Sequence, residues 1–272
     1  MIAKSQTELH YVNLQFTAAW KLLARRSSDG EFIDLQGVII AWSCRMWPIL
    51  NAAIFSTPVL DIDDFQNRIE VATDYARKKQ QAWTVLICQE WLPREIRQQA
   101  TQILSRYDLG AAFSLKGMIA NGLLPSNIPT PRIELREVRD QYTRRAVADL
   151  NTISYGLPLE WGRESLDDLK MWDEGVVGYV GYLNDSPVTC ACVYIVNGCL
   201  YLALVATHPN HRRKGYAETV IRHTLHKASV ISGWTCSVLH STPDGYSLYR
   251  KLGHRGVGTL AAYRSCLLTS YR

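Results

Sequence analysis

An apolar strand that runs into a basic turn and then a helix is the feature that most restricts the fold of this chain. Residues 200–206 are apolar, and a helical pattern begins after Gly215. The turn between them carries three cations, Arg212, Arg213 and Lys214. The first N–H groups of a helix have no intrahelical partner and, with the helix dipole, they attract anions. Since glycine has no Cβ, it lets a ligand approach the backbone closely. The segment therefore predicts a phosphate-binding turn.

The helix after this turn is predicted to pack on a sheet. Its apolar and small residues recur at spacings of three and four, which is typical of a helix with one buried face. They are Ala217, Val220, Ile221, Thr224, Leu225 and Ala228. A second strand is predicted at residues 236–239, and the segment Leu-Tyr-Arg-Lys-Leu-Gly-His follows at residues 248–254.

These motifs resemble two motifs of the GCN5-related N-acetyltransferase (GNAT) superfamily. Arg212, Gly215 and Ala217 resemble its acetyl-CoA motif, and Tyr249 with Gly253 resembles its closing motif. The resemblance implies an α/β fold whose mixed, mostly antiparallel central sheet is flanked by helices. It also implies that the turn binds the pyrophosphate of acetyl-CoA, the expected co-substrate. No metal is expected, because no CxxC motif or pair of histidines accompanies Cys190 and Cys192. The implied cofactor-binding residues are Val205, Ala206, Thr207, Arg212, Arg213, Lys214, Gly215, Tyr216, Ala217 and Thr242.

Tyr249 is the candidate catalytic acid, because the resemblance implies a position beside the CoA sulfur. A tyrosine of ordinary pKa near 10 keeps its proton at neutral pH and can support a departing thiolate. His254 stands where the superfamily usually has Phe, a change expected to affect packing more than chemistry. The general base is less evident, since residues 201–207 contain no carboxylate. His240 is the candidate, expected to face the cleft where neighbouring strands part; His208 is its rival, and a chain of water molecules is a further alternative.

The acceptor is expected to bind the segment between the first two helices of the acetyltransferase half. Residues 155–161 are aromatic, and the sequence predicts a flexible loop with one carboxylate. Tyr155, Glu160 and Trp161 are therefore the candidate substrate-binding residues. Glu160 suits a cationic amine, although a solvated loop carboxylate explains it equally well.

A proline-rich segment predicts two halves. Pro125, Pro129 and Pro131 make residues 125–132 an extended linker. Residues 133–272 then form the GNAT acyltransferase domain. Its predicted elements are a strand at 133–138, helices at 140–153 and 165–172, a hairpin of 177–183 and 188–196, the motif strand and helix, and a final strand at 256–263.

Residues 1–124 repeat the same plan more faintly. Two helices are predicted from stripes of apolar residues, which are Phe65, Ile69, Ala72 and Ala76 in one, and Ile96, Ala100, Ile103 and Leu104 in the other. In place of the basic turn the first half has three carboxylates, Asp61, Asp63 and Asp64, and no glycine. Carboxylates there repel a pyrophosphate. We interpret this half as a degenerate acetyltransferase-like domain without the cofactor motif; an unrelated α/β domain is the alternative.

Composition restricts location and partners. The net charge of +5 raises nucleic acid as a partner, but no basic groove interleaved with aromatic residues is found, and nucleic acid is not expected. No apolar run of about 20 residues suggests a membrane span, and the first residues do not resemble a secretory signal. Seven cysteines without paired spacing suit a reducing cytoplasm, with Cys190 and Cys192 as buried small apolar residues.

The sequence thus predicts a cytoplasmic acyl-CoA-dependent acyltransferase. The expected reaction transfers acetyl from acetyl-CoA to the primary amine of a small molecule or a peptide by direct attack in a ternary complex. Two alternatives stay open: a non-catalytic CoA sensor or partner-binding module, and a longer acyl donor. The sequence predicts no oligomeric state.

Overall fold

The computed structural model describes residues 2–126 and 129–265 and divides them into two compact units. The first unit comprises residues up to Gly117, His240–Pro243 and residues from Val257 on, and the second comprises Met118–Leu239 and Asp244–Gly256. Residues 127 and 128 of the predicted linker lie outside the described residues, as do residues 266–272 of the predicted second domain.

The first unit opens with a long helix and a hairpin that the sequence analysis left unassigned. The elements of the first part of the chain are α1 (Ile2–Arg26), β1 (Glu31–Leu35), β2 (Val38–Trp42), β3 (Asn51–Phe55), α2 (Ile62–Lys79), β4 (Thr84–Cys88), α3 (Arg94–Ser105) and β5 (Leu109–Ala120). Strands β1, β2 and β3 pair antiparallel, and β3 pairs parallel with β4. The predicted stripes of α2 and α3 are buried, which confirms both helices.

The rest of the chain repeats this order of strands and helices and adds one strand and one helix. The elements of the rest of the chain are β6 (Glu134–Glu137), α4 (Gln141–Tyr155), α5 (Leu159–Leu166), β7 (Val176–Leu183), β8 (Ser186–Val196), β9 (Cys199–Thr207), α6 (Tyr216–Ser232), β10 (Ser237–Ser241), α7 (Pro243–Lys251) and β11 (Arg255–Ser265). Strands β6 to β9 pair antiparallel in chain order, and β9 pairs parallel with β10. The predicted mixed, mostly antiparallel α/β fold is confirmed.

The core of the second unit lies between this sheet and its helices. The α6 stripe predicted from the sequence is buried at Val220, Ile221, Thr224, Leu225 and Ala228. On α4, Val147 and Leu150 pack in one apolar cluster with Cys190 and Cys192, both of which are fully buried. Helix α4 begins at a capping box in which Asp140 accepts from the Thr143 N–H, and it ends at Gly156 in the left-handed conformation.

Two sequence predictions differ from the structure. Residues 165–172 are not one helix: α5 ends at Leu166, and a short 3-10 helix spans Leu169–Trp172. The second difference concerns the final strand, β11, which the sequence analysis placed in the second half of the chain. It pairs antiparallel with β4, with Ala261 opposite Ile87, and most of it belongs to the first unit. Pairing across so many residues leaves no local sequence signal.

Candidate acetyl-CoA site

Strands β9 and β10 separate shortly after they begin to pair. Only two residue pairs join them, Leu200 with Ser237 and Tyr201 with Val238. Strand β9 then continues to Thr207 and β10 to Ser241. Beyond these pairs the two strands no longer pair, so an extended ligand can bind to the backbone of β9 there.

The basic turn follows β9 directly. A single 3-10 turn, Pro209–His211, leads from the strand into the cations. Arg213 and Gly215 have φ angles of +64° and +82°, both in the left-handed region. At Gly215 this conformation costs little, because glycine lacks a Cβ. Gly215 is also the N-cap of α6, and no side chain among the described residues caps the helix there. The N–H groups of the first turn thus remain available to an anion.

The three cations of the turn are exposed. The Arg212 guanidinium donates to the carbonyl of Thr207 and to the carbonyl of Ser154, each at 3.3 Å. Lys214 Nζ donates to the carbonyl of Asn210 at 3.3 Å. These contacts join the charged ends of the side chains to neutral carbonyls, and no carboxylate is paired with Arg212 or Lys214 among the described ion pairs. The turn therefore has both the backbone donors and the positive charge that a pyrophosphate needs.

One carboxylate lies in the first turn of α6, and it is compensated. Glu218 forms an ion pair with Arg222 at 2.8 Å and accepts from Ser126 Oγ at 3.0 Å. Arg222 also donates to the carbonyl of Leu124 at 2.7 Å. The charge of Glu218 is thus offset by the charge of Arg222.

Tyr249 lies on α7 within the core of the second unit. It is 8% exposed, and burial, followed by the nearby Tyr155 and Cys190, raises its pKa well above the usual value. A tyrosine in this environment keeps its proton and acts as a hydrogen-bond donor. Tyr155, at the end of α4, is half exposed. The structure thus brings a predicted substrate residue near the predicted acid.

His254 has the packing role that the sequence suggested. Its side chain is 1% exposed, its Nε2 is 2.9 Å from Ser237 Oγ, and its ring lies edge-on to Tyr249 with centroids 5.9 Å apart. Burial lowers the pKa of His254 to about 4, so the ring is neutral at pH 7.

His240, the predicted general base, is partly buried. It belongs to the first unit, where its ring lies edge-on to Phe16 at 4.8 Å and a Cβ on Gly117 would contact it. Burial lowers the pKa of His240 to about 3, which makes it a weak base. Helix α1, which the sequence analysis did not assign, supplies the aromatic contact to this ring. Thr242 also belongs to the first unit and is partly buried.

The remaining candidates lie on the surface of the second unit. His208 Nδ1 accepts from the Asn210 N–H at 3.3 Å, so this ring stabilises the turn. The predicted flexible loop 155–161 is only partly a loop, because Glu160 and Trp161 lie in the first turn of α5. Glu160 is exposed and Trp161 is partly buried.

The first unit has no comparable anion site at the start of α2. The Asp61 side chain caps the helix by accepting from the Asp64 N–H. Asp64 forms an ion pair with Arg68 at 2.8 Å, and Arg68 also donates to the carbonyls of Thr57 and Pro58. The helix N-terminus and the nearby cation are thus already occupied by partners from the protein itself.

Sequence analysis missed the polar residues that bind the end of β9. Ser154 Oγ donates to the carbonyl of Thr207 at 3.2 Å, and Thr189 Oγ1 donates to the carbonyl of Ala206 at 3.0 Å. Asn151 contacts the carbonyl of Leu204. In the sequence, Asn151, Ser154 and Thr189 stand out only as polar residues at positions where the helix or strand pattern predicts burial.

Metal-binding clusters and membrane-spanning helices are both absent among the described residues. No cluster of three or more His, Cys, Asp or Glu residues there is arranged to hold a metal ion. No described helix combines the length and apolar character needed to cross a membrane.

Comparison with known proteins agrees with this geometry. Residues 144–254 match the Acetyltransferase (GNAT) family. A search of curated proteins finds no match. Among solved structures, a GCN5-related N-acetyltransferase from Kribbella flavida is 15% identical with a TM-score of 0.69, and 95% of each chain is covered. A functionally unknown conserved protein from Staphylococcus epidermidis is 11% identical with a TM-score of 0.61, covering 87% of this chain and 94% of that one. At these identities the likeness shows a shared fold.

Proposed function

Because residues 144–254 match the Acetyltransferase (GNAT) family, we propose that this protein transfers an acetyl group from acetyl-CoA to a primary amine. The observation that carries the proposal is the early separation of β9 and β10 beside an uncapped helix N-terminus with three exposed cations. A strand edge and an anion site in this order suit a ligand that has amide groups along a chain and a diphosphate.

The residues of the turn hold the donor in this proposal. Arg212, Arg213 and Lys214 attract the diphosphate, and the N–H groups of Gly215 and Tyr216 bind its oxygens. At an effective dielectric constant of about 20, a cation about 4 Å from a phosphate charge gains about 4 kcal/mol before desolvation is subtracted. The backbone of Val205–Thr207 binds the chain that leads to the thioester.

Tyr249 assists the departure of the thiol. The amine nitrogen forms a bond to the thioester carbon, the carbon–sulfur bond breaks, and the proton lost from nitrogen balances the proton gained by sulfur. Since the raised pKa of Tyr249 keeps the hydroxyl protonated, the hydroxyl supports the thiolate by donating a hydrogen bond. The acceptor amine binds near Tyr155, with Glu160 and Trp161 on the first turn of α5 completing its surroundings.

The first unit lacks the cofactor function in this proposal and acts as a degenerate partner of the catalytic half. Its α2 N-terminus is capped by Asp61, and Asp64 and Arg68 neutralise each other there. We therefore expect one acetyl-CoA molecule to bind per chain.

A second candidate function is a CoA sensor without turnover. Residues 201–207 contain no carboxylate, and burial lowers the pKa of His240 to about 3, so this histidine is neutral and weakly basic at pH 7. In that case acetyl-CoA binds and no acetyl group is transferred.

Two measurements test these candidates. Calorimetry with acetyl-CoA should give one site per chain, and Gly215→Val should weaken binding by at least about tenfold, because φ is +82° there and a side chain blocks the anion. Ala228→Ser, on the buried face far along α6, is a control for folding. Thiol release is then measured across small amines, amino acids and peptides for wild type and Tyr249→Phe. Binding without release above background in any mixture supports the sensor, and an unchanged affinity in Gly215→Val refutes the assigned turn.

A further inference from the structure

Strand β9 contains a β-bulge shortly before it reaches the turn. Ala203 stands opposite Cys192 and Ala206 stands opposite Cys190, so two residues of β9 share one partner position. The first of these two, Leu204, has a φ of +49°. The left-handed region costs a residue with a Cβ roughly 1–2 kcal/mol. Contacts elsewhere must therefore stabilise this conformation.

Two buried side chains bind the carbonyl of Leu204. Asn151 Nδ2 donates to it at 3.4 Å, and Cys190 Sγ donates to it at 3.3 Å. Asn151 Nδ2 also donates to the carbonyl of Val147 at 2.9 Å and lies 3.4 Å from Cys190 Sγ. Both side chains have 0% exposure. We call this pair of donors the Asn151–Cys190 clasp.

Packing alone does not account for an asparagine at this place. Asn151 Oδ1 is buried and has no hydrogen-bond partner among the described residues. An unsatisfied buried acceptor costs about 1–3 kcal/mol, which an apolar side chain of similar size avoids. What the asparagine contributes is the pair of donor N–H groups directed at the backbone of α4 and β9.

We propose that the Asn151–Cys190 clasp is a positioning device for acetyl transfer. By fixing the carbonyl of Leu204, it sets the direction of the backbone that follows, Val205–Thr207, which under the proposed function binds the donor beside its thioester. Ser154 and Thr189 hold the next carbonyls in the same way, those of Thr207 and Ala206. Neither clasp residue contacts the donor itself; both act through the bulge.

The kinetic test compares two neighbouring residues of α4. Asn151→Leu removes the donors, and misplacing a reacting group by about 1 Å costs on the order of 100-fold in rate. We expect kcat to fall about 100-fold while KM for acetyl-CoA changes less than about threefold, because the cations of the turn are untouched. Thr152→Val is the matched control: Thr152 is also fully buried, and its hydroxyl bonds within the helix to the Ala148 carbonyl at 3.0 Å. An equal kcat in the two variants overturns the proposal.

A second pair guards against a folding defect in Asn151→Leu. Cys190→Ser keeps a donor at the bulge and should retain kcat within about threefold, whereas Cys190→Ala lacks one and should lose about tenfold. Serine and alanine are both no larger than cysteine, so a simple loss of packing would lower kcat in both variants. If serine alone retains kcat, the donor group is what matters. Equal kcat values in serine and alanine variants contradict the clasp.

Hydrogen exchange tests the clasp independently of turnover. Amide exchange of Val205–Thr207, measured by NMR in the protein without ligand, should be faster in Asn151→Leu than in Thr152→Val. Should wild type bind acetyl-CoA without releasing thiol, the proposed function fails, and this exchange comparison still decides the inference. Equal exchange rates in the two variants overturn it.

Discussion

Replacing His254 by phenylalanine is expected to make the protein less sensitive to mild acid. His254 is buried and shares a hydrogen bond with Ser237 Oγ. Burial lowers the pKa of His254 from 6.5 to about 4. Between these values the unfolded chain takes up a proton that the folded chain does not. The free energy of unfolding therefore falls as the pH falls from about 6.5 towards about 4, and this loss is absent above about pH 7.5.

The size of the effect follows from the two pKa values. One pKa unit corresponds to about 1.4 kcal/mol. A pH of about 5 lies roughly 1.5 units below the pKa of His254 in the unfolded chain and above its pKa in the folded chain. At this pH His254 therefore lowers the free energy of unfolding by about 2 kcal/mol. His240, whose pKa burial lowers to about 3, adds at most a similar loss. We expect wild type to lose up to about 4 kcal/mol between about pH 7.5 and about pH 5 from these two groups, and His254→Phe about 2 kcal/mol less.

Urea unfolding at the two pH values, followed by circular dichroism, measures this difference. His254→Phe leaves the buried Ser237 hydroxyl without its partner, at a cost of about 1–3 kcal/mol that does not depend on pH. The double variant Ser237→Ala/His254→Phe removes that cost and should show the same reduced pH dependence. If His254→Phe loses as much free energy of unfolding between the two pH values as wild type does, the buried neutral histidine is not the cause.

Arg222→Gln should weaken acetyl-CoA binding by about three- to tenfold, because it leaves Glu218 uncompensated in the first turn of α6. Adding Glu218→Gln should restore the affinity measured by calorimetry. A double variant that binds as weakly as the single variant would contradict this explanation. Arg68→Met should lower the free energy of unfolding by about 3–5 kcal/mol, because it leaves Asp64 without its partner in a largely buried pair. Its acetyl-CoA affinity should equal that of wild type, and a weaker affinity in a folded Arg68→Met would assign the first unit a part in binding.

Local patterns predicted the part of the second unit that forms the donor site. A strand, three cations, a glycine and a helical stripe follow one another within about thirty residues, and each has its own physical signal. The structure has β9, the turn and α6 in that order, with the predicted stripe buried. Such a site can be predicted from the sequence because its parts lie close together along the chain.

Features that depend on distant partners were not predictable in this way. The pairing of β11 with β4 joins residues that are far apart in sequence, and no local pattern indicates it. The same holds for His240, whose ring packs on Phe16 of α1. The bulge at Leu204 was missed because its stabilising donors come from another helix and another strand. Glu160 and Trp161 were predicted in a loop because their polar and aromatic neighbours hide the short helix that begins at Leu159.

The pairing of β4 with β11 has a consequence for synthesis on the ribosome. Strand β4 is buried along its whole length, yet its neighbour Arg255–Ser265 is translated about 170 residues later. Until then one edge of β4 offers unpaired N–H and C=O groups, which are prone to pair with another chain. A chain truncated before residue 255 should therefore aggregate, and a nascent chain should need protection by a chaperone until β11 emerges.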